Sequence, residues 1–435
     1  MLLLHISDIH FRAPDCNYPD TDPNRPYRTR LMQDARTRIN MLGPVSAILV
    51  GGDIAFCGAE QEYVAALAWL TELADATGCA MERVYVVPGN HDVDRRIVST
   101  TPTIQNAHAA VLAAAPNSRE RMLRKQLNDP DTGRALLAPL AAYNDFAKQF
   151  DCQIYLPERP YWKQDLALEN GVTLRVHGLT STFLSGVDGR DDEPKGLYLS
   201  PLQTVLDPAD DVVNLVICHH PPDWFMDHDD IDDAICGRAA IHLFGHKHRQ
   251  RHTKDDRYIR FSAAAVNPDR SELGWKPGYN LIEINVDGDG KERALVIGAH
   301  LLDWQDQPER FRAVLTPNDE AVFRHIIAIP GNAKKSTIPS VDCESVVVAI
   351  VPILPELVRA SVEGKMNDES TRHIVFRFWQ LKMNERREIA LALNLITDAE
   401  LRLPEAERYG RAFARAKERG LVDRLAREIS QREAE

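Results

Sequence analysis

The sequence predicts an α/β protein with a helical insertion and a small all-α module at its C-terminal end. Three observations lead there. Short β-branched and aliphatic runs alternate with helix-spaced apolar residues up to about residue 90 and return after about 170, each run closing on glycine, proline or polar groups. Between about 95 and 150 the texture is Ala, Leu, Arg and Asn without a β-rich run, and beyond about 370 only helical spacing remains. At 435 residues the chain exceeds one ordinary domain. The expected organisation is a large domain over 1–330 containing the insertion, a linker region over 331–369, and a helical domain over 370–435.

Apolar residues at 44% and charged residues at 27% mark an ordinary globular protein, and no stretch approaches the ~20 apolar residues of a membrane span. The formal charge of -12 argues against a dominant basic footprint for nucleic acid. That acidity is uneven: residues 359–435 carry 16 basic and 14 acidic side chains, so about -14 lies in the preceding part. Seven cysteines include no Cys-x-x-Cys pair, which disfavours both a disulfide framework and a zinc cage. Met1-Leu2-Leu3-Leu4 has neither a basic start nor a cleavage site and is read as a strand, not a signal peptide. A reducing, cytoplasmic setting is expected.

Leu2 to Ile6 is a buried strand that ends in Ser7-Asp8-Ile9-His10, with a carboxylate and an imidazole two residues apart. A Pro- and Asp-rich loop from Arg12 leads to a helix over about Thr29 to Leu42. Val45 to Val50 forms the next strand, stopped by Gly51-Gly52-Asp53. Glu60 to Thr77 has the apolar spacing of a helix, with Gly78 as its stop. Val84 to Val87 is a strand delivering Pro88-Gly89-Asn90-His91-Asp92. After the insertion, strand character recurs at Thr173 to Leu179, Val212 to Ile217, Ala239 to Phe244, Arg257 to Ala265 and Tyr279 to Val286, the last closed by an Asp287-Gly288-Asp289-Gly290 turn. Beyond about Pro308 the signal thins until the helices: Thr371 to Lys382, a helix N-capped by Asn384, one begun near Pro404, and Leu421 to Ile429 after Gly420.

The strand ends gather Asp8, His10, Asp53, Asn90, His219, His246 and His248. Carboxylate, imidazole and amide oxygen suit manganese, iron, zinc, cobalt or nickel. Seven donors are too many for one ion and about right for two sharing a carboxylate. Such a pair lowers the pKa of a bridging water and neutralises phosphoryl oxygens. A phosphoester also needs a proton donor for its leaving oxygen, and His91, with Asp92 beside it to orient the ring, is the candidate.

In order and approximate spacing, Asp8-x-His10, Gly52-Asp53, Gly89-Asn90-His91-Asp92, His219-His220-Pro221 and Gly245-His246-Lys247-His248 resemble the five motifs of the calcineurin-like metallophosphoesterase superfamily. The resemblance covers roughly residues 1–300 and implies a four-layer α/β/β/α metallophosphoesterase sandwich around two mixed sheets. It implies that Asp8, His10, Asp53 and His248 hold one metal and that Asp53, Asn90, His219 and His246 hold the other. His91 would be the general acid and, with Asn90, would contact phosphate. The family's His-x-Pro pattern favours His219 as the ligand over His220, which is then a phosphate contact or a packing residue. Two divalent ions are implied, manganese first.

The segments His5 to His10 and Val87 to Val93 look most like the branch that contains cyclic-nucleotide phosphodiesterases. The expected reaction is hydrolysis of phosphodiester bonds in nucleotide-type substrates by a metal-bridging hydroxide. The alternatives are a metal-dependent nuclease of the same superfamily, acting as a defence effector, and a scaffold protein acting through its C-terminal helices. The run Met383 to Leu393 resembles the small helical adaptor domains of bacterial conflict-system effectors, which implies a protein partner bound through 370–435.

Six further residues need a reading of their own. Arg12 is either a phosphate contact or a solvated loop residue, and His5 and His177 read as core histidines. Lys247 is expected to point away from its neighbours by strand alternation. Trp224 and Phe225 either stack on a base or pack beneath the insertion.

Overall fold

The computed structural model describes residues 1–329 apart from 158, 187–188, 270–275 and 289–291, together with 374, 377, 378, 381, 383–397, 400 and 405–434. The chain divides into two compact units, Met1–Ala333 and Lys334–Glu435.

Two mixed sheets build the first unit. In one, β1 (Leu2–Ile6), β2 (Ala47–Val50) and β3 (Val84–Val86) run parallel, in register at Ile6, Val50 and Val86. The antiparallel strands β10 (Gly278–Asp287) and β11 (Ala294–Asp306) extend it from β1, and β12 (Glu309–Ala313) and β13 (Phe323–Ala328) both pair with β11. The other sheet has the order β4 (Trp162–Ala167), β5 (Thr173–Gly178), β6 (Val212–Cys218), β7 (Ile241–Phe244), β9 (Tyr258–Ser262), β8 (Arg251–Asp255), with β5, β6, β7 and β9 parallel. Every residue of β1, β2, β3 and β7 is buried, as expected where both faces of a parallel sheet are covered. Both sheets contribute to one continuous apolar core.

Helices α1 (Arg25–Leu42) and α2 (Glu60–Thr77) follow β1 and β2, and α2 ends on Gly78 in the left-handed conformation. α1 starts four residues earlier than its apolar spacing suggests, because Pro26 fits its first turn. The insertion is helical throughout: α3 (Arg95–Thr100), α4 (Pro102–Ala113), α5 (Pro116–Asn128), α6 (Pro130–Leu137) and α7 (Ala141–Ala147), three of them begun by proline. It is part of the main core, since Ile104, Leu123, Tyr143 and Phe146 are buried with the strand residues. Burial of each such side chain stabilises the unit by roughly 1.5–3 kcal/mol. Tyr143 Oη and Trp162 Nε1 both donate to the Val86 carbonyl, at 3.0 and 2.9 Å, which pins the end of β3 just before its Pro-Gly turn. α8 (His228–Arg238) links β6 to β7.

In the second unit α9 (Met383–Ala392), α10 (Glu405–Glu418) and α11 (Val422–Ala434) surround Ile389, Leu393, Tyr409, Ala416, Leu425 and Ile429. Ile374, Phe378 and Leu381, expected on one helix face, are buried in the same cluster. Gly420 has φ 63° between α10 and α11, as a helix stop requires. α9 begins at Met383, so Asn384 lies inside the helix and is not its cap. Arg415 clasps Glu400 with two 2.6 Å hydrogen bonds. The expected 331–369 linker, Pro404, most of Thr371 to Lys382, and Asp289-Gly290 of the turn after β10 lie outside the described residues.

Candidate metal centre

All seven predicted donors lie just beyond the C-terminal ends of parallel strands, where α/β sheets build their sites. β1, β2 and β3 supply Asp8, His10, Asp53 and Asn90, while β6 and β7 supply His219, His246 and His248. Five of the seven adopt positive φ: Asp8 54°, His10 52°, Asp53 51°, His246 67° and His248 49°. This region costs an L-residue about 1–2 kcal/mol, so its concentration here marks a site held in shape by its surroundings.

The donors fall into groups whose ligand atoms lie within 4.8 Å of one another: Asp8, His10 and His248; Asp8, Asp53 and His219; His219, His220 and His246; and His10, Asp53 and His91. Asp53 joins them. Its Oδ2 is 3.3 Å from His10 Nε2 and 3.3 Å from His219 Nε2, while its Oδ1 accepts the His91 amide at 2.9 Å. His219 Nε2 also lies 3.1 Å from Asn90 Oδ1, and His248 Nε2 lies 3.2 Å from Asp8 Oδ1.

The tautomers bear on what fits between these atoms. His219 Nδ1 donates to the Gly51 carbonyl at 2.8 Å and His10 Nδ1 faces the Asn267 carbonyl at 3.4 Å. In the neutral imidazoles the Nε2 lone pairs therefore converge on the Asp53 carboxylate with no hydrogen between them. Asp8 and Asp53 are buried, which works against their charge, yet His248 and His219 hold Asp8 ionised, and His219 and His10 hold Asp53 well below the usual carboxylate range. Burial lowers the His219 pKa, but Asp53 and Asp8 outweigh it and push it up to about 9; His246, buried beside His219, drops to about 3. Converging lone pairs and buried carboxylates need positive charge, and divalent cations fit that requirement as well as protons do.

Glycines make the approach possible. A Cβ on Gly89 would stand 2.1 Å from Asp53 Oδ1, and one on Gly52, where φ is 95°, would stand 2.7 Å from His219 Nδ1.

The other predicted residues divide. His91 is in place: its Nδ1 donates to the Phe56 carbonyl at 2.8 Å, and burial lowers its pKa. Asp92 does not orient that ring. The short helical turn Asn90–Asp92 carries its carboxylate into the core, where it accepts from the amides of Ile54 (3.2 Å), Ala55 (2.9 Å) and Gly89 (2.9 Å) and from Tyr63 Oη (2.9 Å). His220 is fully buried, with Nδ1 2.8 Å from Ser181 Oγ and Nε2 without a hydrogen-bond partner among the described residues. Arg12 is exposed, its guanidinium 3.6 Å from the Phe56 ring centre.

Lys247 pairs with Asp223 and sits 5.0 Å above the Trp224 ring, which meets the His246 ring edge-on at 4.7 Å. Phe225 is fully buried and packs. His5 and His177 are core residues, bonded to Asn280 at 3.2 Å and Asn214 at 3.0 Å. Sequence reasoning missed the parts of Phe56, Gly51 and Asn267, whose backbone carbonyls meet His91, His219 and His10 and leave no mark in residue type; Phe56 also stacks its ring on His91.

Two mixed sheets with this donor cluster at their strand ends define a metal-dependent phosphoesterase. The chain belongs to the calcineurin-like phosphoesterase family, whose model matches residues 1–250, and residues 370–431 match a GTPase-associated adaptor domain. No curated protein sequence matches significantly. Among solved structures, Vps29 from Chaetomium thermophilum is 11% identical, covering 76% of this chain and 100% of that one with a TM-score of 0.28. GAP50 of Plasmodium, the anchor in the inner membrane complex, is 11% identical, covering 80% and 94% with a TM-score of 0.37. The sulfate thiohydrolase SoxB of Thermus thermophilus is 12% identical, covering 75% and 56% with a TM-score of 0.31. No described helix is long and apolar enough to cross a membrane.

Proposed function

We propose that the chain hydrolyses phosphodiester bonds of nucleotide-type substrates with two divalent cations, manganese first. One would be held by Asp8, His10, Asp53 and His248 and the other by Asp53, Asn90, His219 and His246. The observation that carries this reading is the convergence of His10 Nε2 and His219 Nε2 on one oxygen of Asp53, 3.3 Å from each. When bound, such cations supply Lewis acidity and an activated water.

The chain's own groups supply the rest. Asn90 and His91 contact the phosphate, and His91, with its Nδ1–H anchored on a carbonyl, gives the leaving oxygen the Nε2 proton of its doubly protonated imidazolium form, returning to the neutral Nδ1–H ring. Arg12 at the rim is a further phosphate contact, and His220, fully buried against the His219 and His246 rings, takes the packing role. His219 is preferred to His220 as ligand because its Nε2 faces both Asp53 and Asn90, whereas His220 turns Nδ1 to Ser181. The adaptor-like segment supports recruitment of a protein partner through 370–435.

Hydrolysis of bis-p-nitrophenyl phosphate and p-nitrophenyl phosphate with Mn²⁺, beside Asp53→Asn, tests the reading. Diester hydrolysis lost in the variant is expected. A monoester preference contradicts the diester assignment, and equal inertness of both proteins over a panel of divalent metals leaves the scaffold reading in its place.

A further inference from the structure

Phe56 meets His91 in two independent ways. Its carbonyl accepts the Nδ1 proton at 2.8 Å, and its phenyl ring stacks on the imidazole, with centroids 4.9 Å apart and planes 28° apart. The hydrogen bond fixes which nitrogen faces away from the backbone but leaves the ring free to swing about that contact; the stacked phenyl removes that swing. A third contact bears on the phenyl itself, since the Arg12 guanidinium lies 3.6 Å from its centre, a cation-π geometry that holds an otherwise half-exposed ring in place. The neighbouring carboxylate does not share the task, because among the described residues the Asp92 side chain accepts from Ile54, Ala55, Gly89 and Tyr63 and not from His91.

With Nδ1 committed, Nε2 is the nitrogen left to approach the cluster that His91 forms with His10 and Asp53. We propose that Phe56 is a positioning residue for His91, its carbonyl holding the Nδ1 proton and its phenyl setting the ring plane, so that the Nε2–H of the imidazolium meets the leaving oxygen of the substrate. This rests on the reading of His91 as the general acid. Phe56 itself acts through His91 rather than on substrate or metal, and Arg12 steadies it from the rim.

A misaligned acid hurts most where the leaving group most needs a proton. The test is the dependence of kcat on leaving-group basicity over a series of aryl phosphodiesters, from bis-p-nitrophenyl to diphenyl phosphate. It compares the full-length wild type with His91→Ala, Phe56→Ala and Phe56→Tyr, each checked for metal content by elemental analysis. Expected are a steep dependence for His91→Ala, a dependence between wild type and His91→Ala for Phe56→Ala with a loss of about tenfold on diphenyl phosphate, recovery in Phe56→Tyr, and unchanged metal throughout. If Phe56→Ala slows all esters equally, or loses metal, the phenyl has only a structural role and the proposal fails while the acid assignment stands. If His91→Ala keeps the wild-type dependence, His91 is not the acid, and the proposal falls with that reading.

Discussion

Asp92→Asn separates a structural carboxylate from a catalytic one. The wild-type oxygens take two hydrogen bonds each, Oδ1 from Ala55 N and Tyr63 Oη and Oδ2 from Ile54 N and Gly89 N. An asparagine keeps one acceptor: with its amide nitrogen at the Oδ1 position it loses the Ala55 bond and donates to Tyr63 Oη, and at the Oδ2 position it loses the Ile54 and Gly89 bonds, so one or two of the four are lost. Hydrogen bonds to a charged group contribute about 1.5–3 kcal/mol each, which gives about 1.5–6 kcal/mol.

The lower end is favoured. Burial, with Asp53 nearby, pushes the Asp92 pKa up to about 6, so the wild-type carboxylate already carries a desolvation cost that the neutral amide avoids. Tyr63→Phe removes one bond and leaves the carboxylate, so its cost is about 2 kcal/mol. The assay is urea unfolding of the metal-stripped full-length chain, with kcat measured on the folded fraction. A wild-type midpoint for Asp92→Asn with a collapsed kcat would refute the argument and return Asp92 to the role of ring orienter.

Three further outcomes follow from the geometry. Gly89→Ala places a methyl 2.1 Å from Asp53 Oδ1, so metal bound per chain, measured by elemental analysis after dialysis, falls to below half of wild type in folded protein. His91→Ala keeps its metal but loses about 10²–10⁴ in kcat on an alkyl-leaving diester, and loss of metal instead would make His91 a ligand. Burial lowers the His108 pKa to about 4, so the folded state favours the neutral ring: its contribution is present above pH 6.5 and is lost as pH falls towards 4. Between pH 7 and pH 5 this costs about 2 kcal/mol, which His108→Leu removes in urea titrations at the two pH values. Comparing the two proteins isolates this effect from Asp191, whose pKa burial raises to about 6 with the opposite pH slope.

The donors were legible because carboxylates and imidazoles at the ends of buried strands stand out against an apolar background. Asp53 and His219 are 1% and 0% exposed, which neither residue type tolerates without a partner. The strands that hold them were equally plain, being continuous apolar runs. β8, Arg251-His252-Thr253-Lys254-Asp255, was not legible: it is an exposed edge strand that pairs, among the described strands, with β9 alone, and its sequence reads as a loop. β12 and β13 escaped for the same reason, with alternate residues facing outward.

Asp92 was misread because adjacency in sequence is not adjacency in space. Within the Asn90–Asp92 turn its side chain and that of His91 find separate partners. Phe56 left no polar signature, since its carbonyl makes the bond.

Metal stoichiometry decides whether Asp53 joins two cation sites. Equilibrium dialysis of the full-length wild type and Asp53→Asn against Mn²⁺, read by elemental analysis, should give two ions per wild-type chain and fewer than one in the variant. One ion or none in the wild type, or an unchanged count in Asp53→Asn, would contradict it.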